Sequence, residues 1–389
     1  MCKVALLMER SYGNSRELIF GISRYSSLHN HWELLIPPSP YLTSYLGHST
    51  REKKLTWFKD CNPDGVIMMM LEGNEGILKT GVPAIVGQHI KEGSPDLPHF
   101  KLENYAIGKM AAEDFINRGF KRLAYCGFDY FPWSQQRYEG FSATAEQHGI
   151  KTDYYGTAKP CNKYALDKEP ALIMEWLETL PKPVGILTAN DDRGRLVTGV
   201  CKTANILVPE EIAVMGVDND QIVCMISNPP LSSVCLTSQK AGYEAAAMLD
   251  KIMKNEEVEN KEILIAPTHV VTRHSTNILA IEDREIAKAV QFIRQNTKKP
   301  IQVDDVAQAI AMPRRTMERH FLSALGRSAY KEIAWARAEH ISRILLETNM
   351  TISLIAEEFG FSDATHVTRF FKEIKGLTPV AYRKQFATD

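Results

Sequence analysis

The sequence has little that would mark a secreted, metal-holding or membrane-bound protein. Its 7 cysteines are odd in number and form no CxxC pair. Neither a disulfide framework nor a zinc site is expected; buried, reduced thiols are. Long apolar runs are also missing. Lys3 is followed only by Val4 to Met8 before Glu9 and Arg10, too short for the core of a signal peptide. Val66 to Leu71 is far too short to span a bilayer. The expected setting is the cytoplasm, with no membrane partner. There is no G-x-S-x-G, no P-loop and no H-E-x-x-H, so nothing local supports catalysis. The expectation is a protein that is not an enzyme and has neither cofactor nor metal. Charge of one sign is not in excess overall, with 46 Lys+Arg against 47 Asp+Glu.

What is present suggests two or three soluble domains. The chain has 389 residues, more than one core usually organises, and its 44% hydrophobic and 24% charged content is ordinary for a globular protein. Charge is unevenly placed. From Asp283 onward there are 17 Lys+Arg and 13 Asp+Glu, while the preceding part has 29 and 34. That bias has the sign expected if only the C-terminal part meets phosphates.

The first 280 residues alternate strands and helices. Lys3 to Met8 reads as a buried parallel strand, and Leu18, Ile19, Ile22 and Tyr25 repeat at helical spacing between Ser15 and Leu28. Further strands are expected at Glu33 to Ile36, Gly65 to Leu71, Ala84 to Val86, Leu123 to Cys126, Val184 to Leu187 and Ala213 to Val217. Helices are expected at Tyr105 to Arg118, Arg137 to His148, Arg193 to Ala204 and Gly242 to Lys254. The alternation predicts α/β architecture with parallel sheets covered on both faces, and its length predicts two lobes. Ligands of such sheets bind beyond the carboxyl ends of strands. Glu9, Arg10 and Tyr12 stand there after the first strand, Phe128, Asp129 and Trp133 after Leu123 to Cys126, Asn190 to Asp192 after Val184 to Leu187, and Asp218 to Asp220 after Ala213 to Val217.

Five motifs then occur in order. They are Asn104-Tyr-Ala-Ile-Gly108, Arg118-Gly-Phe-Lys-Arg-Leu-Ala-Tyr125, Arg137-Tyr-Glu-Gly-Phe141, Ala189-Asn-Asp-Asp192 and Val208-Pro-Glu-Glu-Ile-Ala-Val-Met-Gly-Val-Asp-Asn219. Over roughly residues 3–278 the chain resembles the effector-binding core of the lactose-repressor family, itself similar to periplasmic sugar-binding proteins. The resemblance implies a two-lobed clamp holding a sugar. It places lobe 1 at about 1–104 and 236–266 and lobe 2 at about 105–235 and 267–280, with crossings near Asn104, Cys235 and Pro267. It also implies that Arg137, Asn190, with Asp191 beside it, and Asp218 grip sugar hydroxyls, with Asn104 a further contact.

The residue types suit that task. A carboxylate accepts two O–H bonds, and an arginine fork donates two N–H bonds to paired hydroxyls. Trp133 or Tyr12 can lie against the apolar face of a sugar ring, and Glu9 is a further polar candidate. Other readings stay open: Asp218 capping a loop, Arg137 in a surface ion pair, Trp133 packing within a lobe. Asp218 and Asp220 lack a histidine that would favour a metal.

From about Asp283 the pattern becomes helical. Ile286, Val290 and Ile293 share one face of a helix over Glu285 to Asn296. Val303 to Ile310 is a short helix with an acidic first turn, Ala311-Met312 is a turn, and Pro313 opens a helix that Gly326 stops. A longer helix, Ala329 to about Leu346, connects to a second short helix, Ile352 to Phe359. After the turn Gly360-Phe361, Ser362 or Asp363 caps a helix that Gly376 stops. Short helix, tight turn and second helix, twice over, make two helix-turn-helix units, at about 303–324 and 352–375.

Ile355-Ala356 to Gly360-Phe361-Ser362, Arg369-Phe-Phe-Lys372, Gly376-Leu-Thr-Pro379 and Tyr382-Arg383 resemble the DNA-binding domain of the arabinose-regulator (AraC-type) family, over 283–389. In the first unit Ala311 stands where that family usually has Gly, and Pro313 where it usually has a capping Ser. There the geometry is expected to differ. Outward candidates to meet DNA are Arg314, Arg315, Glu318 and Arg319 in the first reading helix, and Asp363, Thr365, His366 and Arg369 in the second. Met317, Phe321, Val367, Phe370 and Phe371 read as core.

Lactose-type repressors carry one helix-turn-helix before the clamp. Here Val4 already belongs to the first strand, so none is expected to precede it. A sensor followed by an all-α DNA-binding module implies a sugar-responsive transcription regulator. The overall resemblance implies a D-xylose-triggered activator of catabolic operons, with another pentose or sugar-dependent repression as alternatives. The implied partners are the sugar, double-stranded operator DNA, RNA polymerase and a second copy of the chain.

Overall fold

The computed structural model describes residues 2–29, 31–37, 50–69, 74–87, 97–158, 163–281 and 283–386. Cys161 and the last two residues of the strand expected over Gly65 to Leu71 lie outside them.

In chain order the elements are β1 (Lys3–Leu7), α1 (Gly13–Leu28), β2 (Glu33–Leu35), α2 (Thr50–Cys61), β3 (Gly65–Met68), α3 (Glu75–Leu78), β4 (Ala84–Val86), β5 (His99–Leu102) and α4 (Asn104–Asn117). Next come β6 (Leu123–Phe128), α5 (Pro132–Gln147), β7 (Thr152–Thr157), α6 (Lys163–Thr179), β8 (Val184–Thr188), α7 (Asp191–Thr203), β9 (Ile212–Val217), α8 (Gln221–Ile226) and β10 (Ser232–Leu236). The α/β part closes with α9 (Ser238–Met253), β11 (Glu262–Ile265), β12 (Pro267–Val271) and a 3-10 turn at His274–Thr276. Seven helices follow: α10 (Arg284–Gln295), α11 (Val303–Ala309), α12 (Arg314–Leu325), α13 (Ala329–Glu347), α14 (Ile352–Glu358), α15 (Ala364–Lys375) and α16 (Pro379–Phe386).

Two compact units result: Met1–Glu103 with Leu236–Ala266, and Asn104–Cys235 with Pro267–Asp389. The first holds a sheet in the order β11-β5-β4-β3-β1-β2. Its β1 pairs in parallel with both β2 and β3, in the register Val4 to Gly65 and Leu7 to Met68. Continuous burial along Val4 to Leu7 and Gly65 to Met68 explains why these strands are uniformly apolar rather than alternating.

The sheet of the second unit runs β12-β10-β9-β8-β6-β7. From β6 the chain steps to one edge, at β7, and then returns past β6 to β8, so the order reverses between β6 and β8. Crevices of parallel sheets open beyond the strands' carboxyl ends at such a reversal. One face is sealed by Ile173 and Leu177 of α6 and Val197 and Cys201 of α7, packed on Cys126, Ile186 and Val214.

Helix α5 begins at Pro132, five residues before the start expected from periodicity. Its contact with α4 is unusually close. A Cβ on Gly108 would lie 1.9 Å from the Arg137 carbonyl oxygen, and one on Gly140 would lie 2.0 Å from that of Tyr105. Only glycine permits this approach. The two glycines of the Asn104-to-Gly108 and Arg137-to-Phe141 motifs thus bring the start of α4 against the middle of α5.

The helices after Arg284 form two small cores along α13. Ile286, Val290, Ile293, Val306, Met317 and Phe321 pack on Ile333 and Ala336. Ile355, Phe359, Val367, Phe371 and Tyr382 pack on Ile341 and Leu345. Phe370 is half-buried at the edge of the second core. Within the same unit this helical domain docks on the sheet domain. Arg294 Nη2 donates to the Asn117 carbonyl at 3.3 Å, and Arg327 donates to the same carbonyl at 3.2 Å and to the Asn117 amide oxygen. Arg327 also ion-pairs with Glu332, which is fully buried. Further along, the Tyr382 hydroxyl donates to the Thr268 carbonyl at 3.2 Å.

Candidate functional site

In the second unit, four of the residues singled out from sequence meet at the reversal of strand order. Arg137, on the first turns of α5, is buried. Its Nε donates to Asn104 Oδ1 at 3.1 Å, its Nη1 donates to the Ala189 carbonyl just past β8, and its Nη2 lies 3.9 Å from Asp218 Oδ1. The guanidinium stands 4.9 Å from the centre of the Trp133 ring. Trp133 stacks on Phe131 at 5.3 Å, and both abut Phe128, which builds an aromatic wall after β6.

Asp218 follows β9 in a strained turn, with φ 99 at Asp218 and φ 51 at Asn219. Side chains seldom adopt such backbone, and it persists where surroundings enforce it. Its Oδ1 is buried and accepts no hydrogen bond. Burial pushes the Asp218 carboxyl up to about 6; Arg137 opposes the rise, while Asp220 and Asp192 add to it. A buried acceptor without a donor costs about 1–3 kcal/mol, which a hydroxyl-bearing ligand would recover.

Asp191 sits differently from its neighbours. It is buried, accepting from the Ser233 hydroxyl at 2.6 Å and the Asp220 amide at 2.7 Å. It packs so close to Gly216 that a Cβ there would lie 2.1 Å from its Oδ1. Burial, with the Asp218 charge adding, raises its carboxyl well above the usual range. Asp191 therefore shapes the 218–220 turn, and the Gly of the Gly216-Val-Asp218 motif makes room for it. Asn190 caps α7, its side chain accepting from the Arg193 amide at 3.0 Å.

Two contributors gave no signal in the sequence. Gln136 accepts from Asn104 Nδ2 at 3.2 Å. Arg273 donates to Asn219 Oδ1 at 2.8 Å and to the Leu231 carbonyl at 2.9 Å, holding the turn. Neither belongs to a motif, and Arg273 is 54 residues from its partner. In the first unit, Tyr12 is exposed ahead of α1, and Glu9 is exposed with its carboxylate accepting from the Ser11 hydroxyl at 3.1 Å. Among the described residues no group of three His, Cys, Asp or Glu side chains is placed to hold a metal, and no helix is long and apolar enough to cross a membrane.

On the helical domain, Arg314, Arg315 and Arg319 are exposed along α12 with Glu318 half-buried, and Asp363, Thr365, His366 and Arg369 are exposed along α15. Arg314 is already engaged, 3.1 Å from Asp304 and 3.3 Å from Glu318. Asp363 caps α15, accepting from the His366 amide at 2.8 Å. Arg315, Arg319 and Arg369 make no hydrogen bond or ion pair among the described residues. Among the outward candidates on the two helices, these three are the cations without a partner.

Comparison with known proteins matches residues 112–276 to the periplasmic binding protein-like domain and residues 306–385 to a helix-turn-helix domain. The xylose operon regulatory protein of Escherichia coli (strain K12) is 26% identical over 98% of this chain and 96% of its own length. That of Haemophilus influenzae is 26% identical over 98% of both chains. A solved xylose-binding transcription activator shares the fold, with a TM-score of 0.60 and 24% identity over 99% of this chain and 98% of its own. Similar over its whole length to the xylose operon regulatory proteins, the chain is a transcription regulator that joins a periplasmic binding protein-like domain to a helix-turn-helix domain.

Proposed function

We propose that this regulator answers to a sugar, D-xylose, and activates the operons that catabolise it. The observation that carries the reading is the half-buried Asp218, whose buried Oδ1 accepts no hydrogen bond, beside Arg137, Asn104 and the Trp133 ring. An acceptor, a cationic fork and an aromatic face at one point suit a polyhydroxylated ring. Asn190 is a further contact, and Asp191 supports the turn from behind. Binding proceeds without turnover of the sugar. The helical domain binds double-stranded DNA through α12 and α15, with α13, about 28 Å long, spacing them to meet successive major-groove segments. The protein works in the cytoplasm as a homodimer that engages RNA polymerase.

Sugar shifts DNA binding only through its differential affinity for two states of the protein. A thermal-shift screen across pentoses and hexoses tests the effector: D-xylose is expected to stabilise most, and Asp218→Asn to abolish the shift. Operator affinity measured with and without D-xylose tests the coupling. Equal affinity in both conditions would refute it.

A further inference from the structure

A second cationic surface lies at the opposite end of the strands from the sugar candidates. Lys121 and Arg122 immediately precede β6, and Lys182 precedes β8, so all three stand at the amino ends of strands. With Arg319, His320 and Ser323 of α12 they line one open cleft of about 1040 Å³. The reading helix of the first helix-turn-helix unit thus borders a basic edge of the sensor domain.

The charges in this cleft are only partly answered. Arg122 Nη1 is spent on the Lys182 carbonyl at 2.8 Å, and Lys182 reaches Glu211 at 3.1 Å. His320 and Asp283 answer one another at 2.6 Å, which leaves Glu210 as the other acid of the lining. Lys121 and Arg319 are both exposed and make no hydrogen bond or ion pair among the described residues. Unpaired like charges around a concavity favour a polyanion, and duplex DNA carries one negative charge per about 1.7 Å of axis.

We infer that the sensor domain itself touches the operator: Lys121 and Arg122 bind backbone phosphates beside the groove that α12 reads. This rests on the DNA-binding reading of the helical domain. Such contacts fix register and orientation and carry no base information.

The test measures binding of full-length protein to operator and to unrelated duplex across a salt series. Lys121→Gln is expected to weaken both DNAs by the same factor and to reduce the slope of log affinity against log salt by about 0.9. Lys121→Glu should weaken both further, while the D-xylose thermal shift stays as in the parent protein. Lys168→Gln, an exposed lysine near the start of α6 and outside the lining of this cleft, should change nothing. An unchanged slope in Lys121→Gln, or an equal loss in Lys168→Gln, would overturn the inference. Inorganic phosphate stabilising the parent protein but not Lys121→Gln, at constant ionic strength, would make the cleft a small-anion site and overturn it too. If Arg369→Ala weakens operator binding while Lys121→Gln does not, the DNA-binding reading stands and only this inference falls. If the parent protein binds no DNA, both fall.

Discussion

The two helix-turn-helix units share a plan and differ in how each is held. In both, a seven-residue helix is followed, just past its C-cap, by a residue of positive φ, and a twelve-residue reading helix ends at a left-handed glycine, Gly326 or Gly376. At the turn, the second unit uses Gly360, φ 66, whereas the first forces Ala311 to φ 50. The following amides bond back alike, Met312 to the Ala307 carbonyl at 3.0 Å and Phe361 to the Ala356 carbonyl at 2.8 Å. The substitution of Ala for Gly is therefore absorbed as local strain while the turn is kept. Capping differs more. Asp363 caps α15 with its side chain, and Pro313 offers α12 none. Their docking differs as well: the first unit is moored to the sheet domain near Asn117 by arginines around buried Glu332, the second by the Tyr382 hydroxyl on the Thr268 carbonyl. The lesson is that the same supersecondary plan tolerates different local chemistry where tertiary contacts compensate.

Removing the ionic mooring should have the largest effect. Glu332→Ala leaves Arg294 and Arg327 without their buried counter-charge, and a broken buried pair costs about 3–5 kcal/mol. Chemical denaturation should show this loss, with the region around Ile333 exchanging amide hydrogen before that around Ile341. Uniform protection across both cores would break the distinction between them.

Next come the reading cations. Arg369→Ala should cost about 1–3 kcal/mol of operator binding and relax preference at one base position. Arg314→Ala should cost less than Arg315→Ala, because Arg314 is already held by Asp304 and Glu318. Competition assays against operator variants decide the order; a larger loss at Arg314 would contradict it.

A smaller pair of changes with opposite signs sharpens the turn comparison. Ala311→Gly should stabilise by about 1 kcal/mol by relieving left-handed backbone strain, and Gly360→Ala should destabilise by a similar amount. No close backbone blocks Gly360, where an added Cβ meets only Pro300 at 3.4 Å, so backbone conformation alone sets that cost. Melting temperatures of the two variants moving in the same direction would refute this.

The mildest effect is one of pH. Burial, with Arg343 and Lys375 nearby, lowers His269 to about 4. The unfolded chain then takes up a proton near pH 6.5 that the folded chain refuses, so stability present at neutral pH is lost as pH falls from about 6.5 towards 4. His269→Gln should flatten that part of the stability profile. An unaltered profile would exclude His269 as its source.

Much of this arrangement was legible in the sequence. Parallel strands announced themselves as unbroken apolar runs, and the reading helices by Pro313, Asp363, Gly326 and Gly376 at their ends. Other elements were silent. Helix α6 carries Pro170 inside it, which interrupts the pattern a helix is recognised by. Strands β5 and β11 pair with each other at the edge of their sheet, and four mixed residues apiece resemble loop. For the site, Arg137, Asn104, Asp218 and Trp133 were named from motifs and meet in space, but Gln136 and Arg273 had no motif to reveal them. Asp191, next to Asn190 in sequence, points instead into the protein, because a helix start turns successive side chains to different sides.

The sequence by itself determined the element types, the order of sensor before helical domain, and the doubled helix-turn-helix, since periodicity and capping act over a few residues. Only the tertiary structure decided which polar groups share a site and which are moorings. The Asp218 acceptor becomes a ligand candidate because its neighbours leave its Oδ1 unsatisfied, and Lys121 becomes a candidate for DNA contact because folding sets it in one cleft with Arg319. Both depend on contacts between residues far apart in the chain, where burial and charge are set by the packed whole.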